Sequence, residues 1–135
     1  MDTNNPDRDV RNDLLLKDEV YAVVGASMEV HNQLASSYSE NIYQESMEIE
    51  LELRGIPFEA QKPLPVFYKG RRLKSHYVAD LLCFGTLLVE LKVIPVLGKR
   101  EESQVLYYPR ATGLRVGLLI NYGDPVRLDW HRYVR

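Results

Sequence analysis

One cysteine, one tryptophan and no long uninterrupted apolar run mark what this 135-residue chain does without. The single cysteine, Cys83, excludes an intramolecular disulfide and points to a reducing compartment. It lies within the apolar stretch from Tyr77 to Phe84, so a core position is expected. A membrane-spanning helix needs about 18 or more apolar residues. The best candidate, Thr86 to Leu97, is broken by Glu90 and Lys92. The N-terminal MDTNNPDRDVRND lacks the apolar stretch of a signal peptide, which leads us to expect a cytoplasmic protein. With a net charge of −2, the chain also lacks the strong basic character of a protein that coats nucleic acid. Any polyanion contact must be local, at Lys69 to Lys74 (KGRRLK), Gly98 to Arg100 or Arg127 to Arg135. There is no zinc motif, glycine-rich phosphate loop or nucleophile elbow.

What is present suffices for one core. Hydrophobic residues make up 45% of the chain, so residues 15–135 read as a single domain behind a loose, polar segment over 1–14. Val20, Val23, Val24, Ser27, His31 and Leu34 recur at helical spacing and predict a helix over 18–35. A second helix is expected over 40–54, with Ile42, Tyr43, Met47, Ile49, Leu51 and Leu53 apolar and Gly55 as its stop. Prolines at 57, 63 and 65 make the next extended segment, through Tyr68, an edge or irregular strand. Strands over 72–84 and 86–93 follow, joined tightly at Gly85. A helix over 99–112 and strands over 114–121 and 126–134 complete a mixed α/β order.

The chemistry concentrates in the strand over 86–93. Glu90 and Lys92 sit in the middle of its apolar residues, where unpaired charges would cost several kcal/mol. Two residues apart, they share one face, with Val89, Leu91 and Val93 on the other. If the hairpin turns at Gly85, residues whose numbers sum to about 170 are opposed, and Asp80 faces Glu90. Like charges so placed destabilise a sheet unless a divalent cation bridges them or a proton is shared. Two carboxylates favour Mg2+ or Mn2+, and with a lysine beside them they suit water activation in phosphodiester hydrolysis. The alternative is a buried ion network in which Lys92 neutralises one acid.

Ala79-Asp80 followed, ten positions after Asp80, by Glu90-Leu91-Lys92 resembles the PD-(D/E)XK nuclease signature. More specifically, the chain resembles the GxxExxY family, through Val30-His31, Glu40 and Tyr43, LPVFYKG (Leu64 to Gly70), Gln104 and GLLINYG (Gly117 to Gly123). The resemblance implies a restriction-endonuclease-like core, a mixed sheet flanked by helices. It implies Asp80, Glu90 and the Leu91 carbonyl as metal ligands, Lys92 as the residue that positions or activates water, and Glu40 and Gln104 as completing the catalytic site. Ala35 and Ser37 stand where the family's loop carries glycines, and Pro109 stands where an apolar helix residue is common.

Some of these residues have plainer readings. Ser37 and Glu40 have capping-box spacing, which would make Glu40 a helix cap. Arg100, Gln104 and Tyr108 share a helical stripe that faces either the acidic pocket or solvent, and Pro109 should kink the helix just beyond it. His31, on an apolar helix face, reads as a satisfied core histidine. Tyr107, Tyr108, Trp130 and Tyr133 either stack on bases or pack in the core or at its rim. The functional expectations are therefore a Mg2+- or Mn2+-dependent nuclease acting on DNA or RNA, a catalytically inactive nuclease-fold module binding nucleic acid or protein, or a hydrolase of smaller phosphate esters. Little chain lies beyond the core, which leaves room for a protein partner or a homo-oligomer.

Overall fold

A computed structural model describes residues 15–135; the loose segment expected over 1–14 lies outside the described residues. Helix α1 (Lys17–Leu34) buries Val20, Val23, Val24 and Val30 as one stripe. Helix α2 (Glu40–Leu53) buries Tyr43, Met47 and Leu51, spaced four apart, and ends at Gly55, whose φ of 68° carries no Cβ penalty. Each large apolar side chain buried this way contributes about 1.5–3 kcal/mol. Ile42, Ile49 and Leu53, expected among the apolar positions, point instead to solvent, because only one side of α2 meets the sheet.

Five strands lie in the order β1-β2-β3-β4-β5: β1 Phe58–Tyr68, β2 Arg71–Cys83, β3 Leu87–Lys92, β4 Val116–Asn121 and β5 Asp129–Val134. Neighbours are antiparallel except β3 and β4, which are parallel and so need a crossover. Helix α3 (Lys99–Tyr107) and a short 3-10 turn (Tyr108–Thr112) supply it. The single helix expected over 99–112 is divided because Pro109 has no amide to continue the α pattern. This is the expected α/β architecture, with the mixed sheet and flanking helices of a restriction-endonuclease-like core, and β1 is at the sheet edge. Among the described residues no helix is long and apolar enough to cross a membrane.

Helices α1 and α2 cover one face of the sheet, packing on Leu81, Cys83, Leu87, Val89, Leu91, Val116, Leu118 and Ile120. Cys83 is buried there, and burial pushes its thiol up to about 12. Helix α3 lies over the other face at Gly117, where a Cβ would stand 2.2 Å from Cγ1 of Val105. Glycine lets helix and strand approach that closely.

Strands β1 and β2 change faces halfway along. Ala60, Leu81 and Cys83 belong to the core under α1 and α2, whereas Leu64, Tyr77 and Ala79 pack with Leu88 on the opposite side. Strict alternation cannot produce this without a local defect. The defect lies at Gln61 and Asp80, between the pairs Ala60↔Leu81 and Lys62↔Ala79, and Gln61 takes a φ of 51°. Beyond it the hairpin continues as a two-stranded arm to Tyr68↔Arg71, while β3 pairs with β2 only at Leu81, Leu82 and Cys83.

Candidate functional site

The site grows out of that defect. The β2–β3 ladder has the register expected from its sequence, Cys83↔Leu87 to Leu81↔Val89, each pair summing to 170. One step further, Asp80 gives its side chain to the ladder: Oδ2 accepts the Leu91 amide at 2.8 Å. The backbone is held from the other side by Gln44 of α2, whose Nε2 donates to the Asp80 carbonyl at 2.9 Å.

Glu90 is 4% exposed. Its carboxyl group accepts the Tyr77 hydroxyl and lies close enough to Asp80 to feel its charge. Burial, followed by the charge of Asp80, raises Glu90 to about 9, while the Tyr77 hydrogen bond and Lys92 pull it down. At neutral pH Glu90 therefore keeps a proton. Burial and the neighbouring Glu90 push the Tyr77 hydroxyl upward, so it stays a donor.

Lys92 and Glu40 complete the electrostatic cluster. Glu40 is raised by partial desolvation and then by Asp80, with Lys92 opposing. Glu40 is the first residue of α2, and Ser39 is the N-cap. The Ser37 capping-box reading therefore does not describe this helix start, and the Glu40 carboxylate acts toward Asp80 and Lys92.

Gln104 is half-buried on α3 and its carbonyl accepts the Tyr108 amide; among the described residues its side chain makes no hydrogen bond to the acids. The stripe of Arg100, Gln104 and Tyr108 reaches the site at its far end. There the Tyr108 ring stands edge-on to Tyr77, centroids 4.8 Å apart at 79°.

Other sequence landmarks hold the frame. Tyr43 stacks on Tyr122 at 4.4 Å and 16°, and His31 also stacks against Tyr122, at 6.3 Å. His31 Nε2 donates to the Asp124 carbonyl at 2.7 Å, the satisfied core histidine that its helix face suggests. Asn121 belongs to the GLLINYG segment, and its amide clamps the chain just beyond Lys92. Oδ1 accepts the amides of Ile94 and Gly123, each at 3.0 Å, and Nδ2 donates to the Ile94 carbonyl at 2.9 Å. A Cβ at Gly123 would lie 1.9 Å from that carbonyl oxygen.

The oxygen donors fit a hard divalent cation. Asp80 uses Oδ2 and Glu90 uses Oε1 for the bonds above, leaving Oδ1 and Oε2. The amide and carbonyl of a strand residue face the same edge, so the Leu91 carbonyl points toward the Asp80 edge along with its amide. Mg2+ needs only one or two carboxylates and keeps several waters. Among the described residues no group of three His, Cys, Asp or Glu is placed to hold a metal, and the acidic donors that meet here are Asp80 and Glu90.

A family model described as the PD-(D/E)XK nuclease superfamily matches residues 17–133. Comparison with curated proteins and with solved structures finds no match.

Proposed function

Since the chain belongs to the PD-(D/E)XK nuclease superfamily, we propose that it is a Mg2+- or Mn2+-dependent nuclease hydrolysing nucleic-acid phosphodiester bonds at Asp80, Glu90 and Lys92. The observation that carries this reading is the meeting of two neighbouring carboxyl groups, one nearly fully buried, with Lys92 and Glu40 at the end of β3. Within the superfamily, the landmarks from Val30-His31 to GLLINYG favour the GxxExxY family.

In this reading Asp80, Glu90 and the Leu91 carbonyl hold the cation, and residues 15–135 act as one domain. A bound divalent cation supplies an activated water and stabilises charge developing on the phosphate. Lys92 holds the attacking water or offsets phosphate charge, its position fixed by the Asn121 clamp and by the bond from the Tyr122 amide to its carbonyl at 2.9 Å. Tyr77 orients Glu90, and Glu40 adds negative charge at the rim. Gln104 serves from α3 if substrate draws its side chain inward. The buried thiol of Cys83 fits the reducing, cytoplasmic setting expected from the sequence.

The test is metal-dependent cleavage of single- and double-stranded DNA and RNA, with Lys92→Ala as control. Cleavage lost in that variant supports the reading; no cleavage of any of the four substrates sinks it. A second reading, a catalytically inactive module that binds nucleic acid or protein through the nuclease fold, draws on the missing third acidic ligand. Calorimetry separates the two, since a module of that kind would bind a partner but neither Mg2+ nor Mn2+.

A further inference from the structure

The arm formed by β1 and β2 borders, with the 3-10 turn, an open cavity of about 430 Å³ whose wall shares Tyr77 with the carboxylate site. Its wall includes Phe67, Leu73, Tyr77, Tyr107, Tyr108 and Arg110. Phe67, Leu73, Tyr107 and Tyr108 are all more than 40% exposed, an apolar aromatic surface left open to solvent. Sites for small organic groups typically span about 300–1,000 Å³.

Charge identifies the occupant. From Ala60 to Val78 the chain has no acidic residue, and Lys69, Arg71, Arg72 and Lys74 crowd the arm's tip. Among the described residues none of these four makes an ion pair, and Lys69 lies over the Tyr68 ring at 5.6 Å. The opposite wall adds Arg110, in a stretch without acids from Ser103 to Gly123. In a chain of net charge −2, this concentration of cations around exposed aromatic rings is complementary to bases with phosphates attached. An apolar peptide would use the rings and leave the cations idle.

Resting on the nuclease reading above, we propose that this cavity is a subsite for an unpaired nucleobase of a single-stranded substrate, whose backbone follows the basic arm. Tyr77 links subsite and chemistry, since its ring walls the cavity while its hydroxyl is bonded to Glu90. A base stacked on Tyr108 thereby brings its own phosphate toward the carboxylates. Bases in a duplex are already stacked and paired and cannot enter without being pulled out.

The experiment measures fluorescence anisotropy of the full chain in EDTA with fluorescein-labelled oligothymidylate and oligouridylate of about 15 nucleotides and a blunt duplex of equal length. Both single strands are expected to bind at least about tenfold more tightly than the duplex. Tyr108→Ala and Phe67→Ala should each weaken single-strand binding about tenfold, the scale of one lost stacking contact, with duplex binding unchanged. Tyr108→Trp should restore it. Equal affinity for strand and duplex, or full single-strand affinity in both alanine variants with unchanged melting temperatures, overturns the subsite. Competition by an apolar peptide in place of oligonucleotide binding also overturns it, in favour of a protein partner. Because binding is read without metal, failure of the nuclease reading leaves this result intact: cleavage would be absent while Tyr108-dependent binding persisted.

Discussion

The Asp80 carboxylate occupies the place in the β2–β3 ladder where a backbone carbonyl would otherwise stand, accepting the Leu91 amide at 2.8 Å. A ladder bond made by a side chain can be removed by mutation. Asp80→Ala leaves the Leu91 amide without that acceptor and is expected to cost about 1–3 kcal/mol. Asp80→Asn retains an acceptor for the Leu91 amide, so it should cost less, although it removes a proposed metal ligand. Urea denaturation of the two variants in EDTA checks the order, and equal losses would contradict it.

Glu90 makes the metal-free protein sensitive to alkali. Its folded value of about 9 lies above the ordinary carboxylate value of 4.5, so between these limits the folded state holds a proton that the unfolded state has released. This contribution is fully present below about pH 4.5 and is lost as pH rises toward 9, with a limiting slope of about 1.4 kcal/mol per pH unit. Denaturation series in EDTA across this range should show stability falling with pH, and Glu90→Gln should flatten that part of the profile. Added Mg2+ should oppose the fall, because a cation favours the ionised carboxyl. A profile identical in wild type and Glu90→Gln would count against the buried proton.

Ala35 carries a backbone conformation better suited to glycine. It terminates α1 with φ 56° and ψ −138°, and its carbonyl accepts the Tyr43 hydroxyl. A Cβ in this region costs about 1–3 kcal/mol. Ala35→Gly should therefore gain about 1 kcal/mol after the added freedom of the unfolded glycine is subtracted. A raised denaturation midpoint with an unchanged m-value would be the sign of it. A lowered midpoint would show that the surrounding bonds already accommodate alanine.

Gly117 should be replaceable only in combination. Gly117→Ala drives its new Cβ into Cγ1 of Val105, a side-chain obstacle rather than a backbone one. We expect a loss of about 1–3 kcal/mol from overpacking. Shortening the obstacle with Val105→Ala should recover part of it, giving a favourable coupling energy in a double-mutant cycle. Additive losses would mean that α3 shifts away as a body.

Much of this architecture is written locally. Val20, Val23 and Val24 announce a helix by their spacing, Gly55 ends one, and Glu90 and Lys92 stand out because an apolar strand has no use for lone charges. The Gly85 turn set the β2–β3 register correctly. What could not be read is the change of face at Gln61 and Asp80, because nothing about a glutamine signals a φ of 51°. Unbroken alternation puts Tyr77 on the face opposite Asp80 and Glu90, so its bond to Glu90 went unseen. The outward Ile42, Ile49 and Leu53 were missed for a related reason: composition makes them apolar, but only the sheet decides which side of α2 is covered. Asn121 looked like part of a motif, and its role emerges only where two strand ends meet.

The face change also separates two jobs along one hairpin. Its inner half is bound into the core, while the outer half leans on the 3-10 turn and carries the cations at its tip. Each residue added per strand at the Tyr68↔Arg71 end would extend the arm by about 3.3 Å. Additions in steps of two would preserve which side chains look inward. The arm can thus be lengthened, shortened or exchanged as a lever whose pivot is Asp80, changing what the protein reaches while the carboxyl pair at the fulcrum stays where it is.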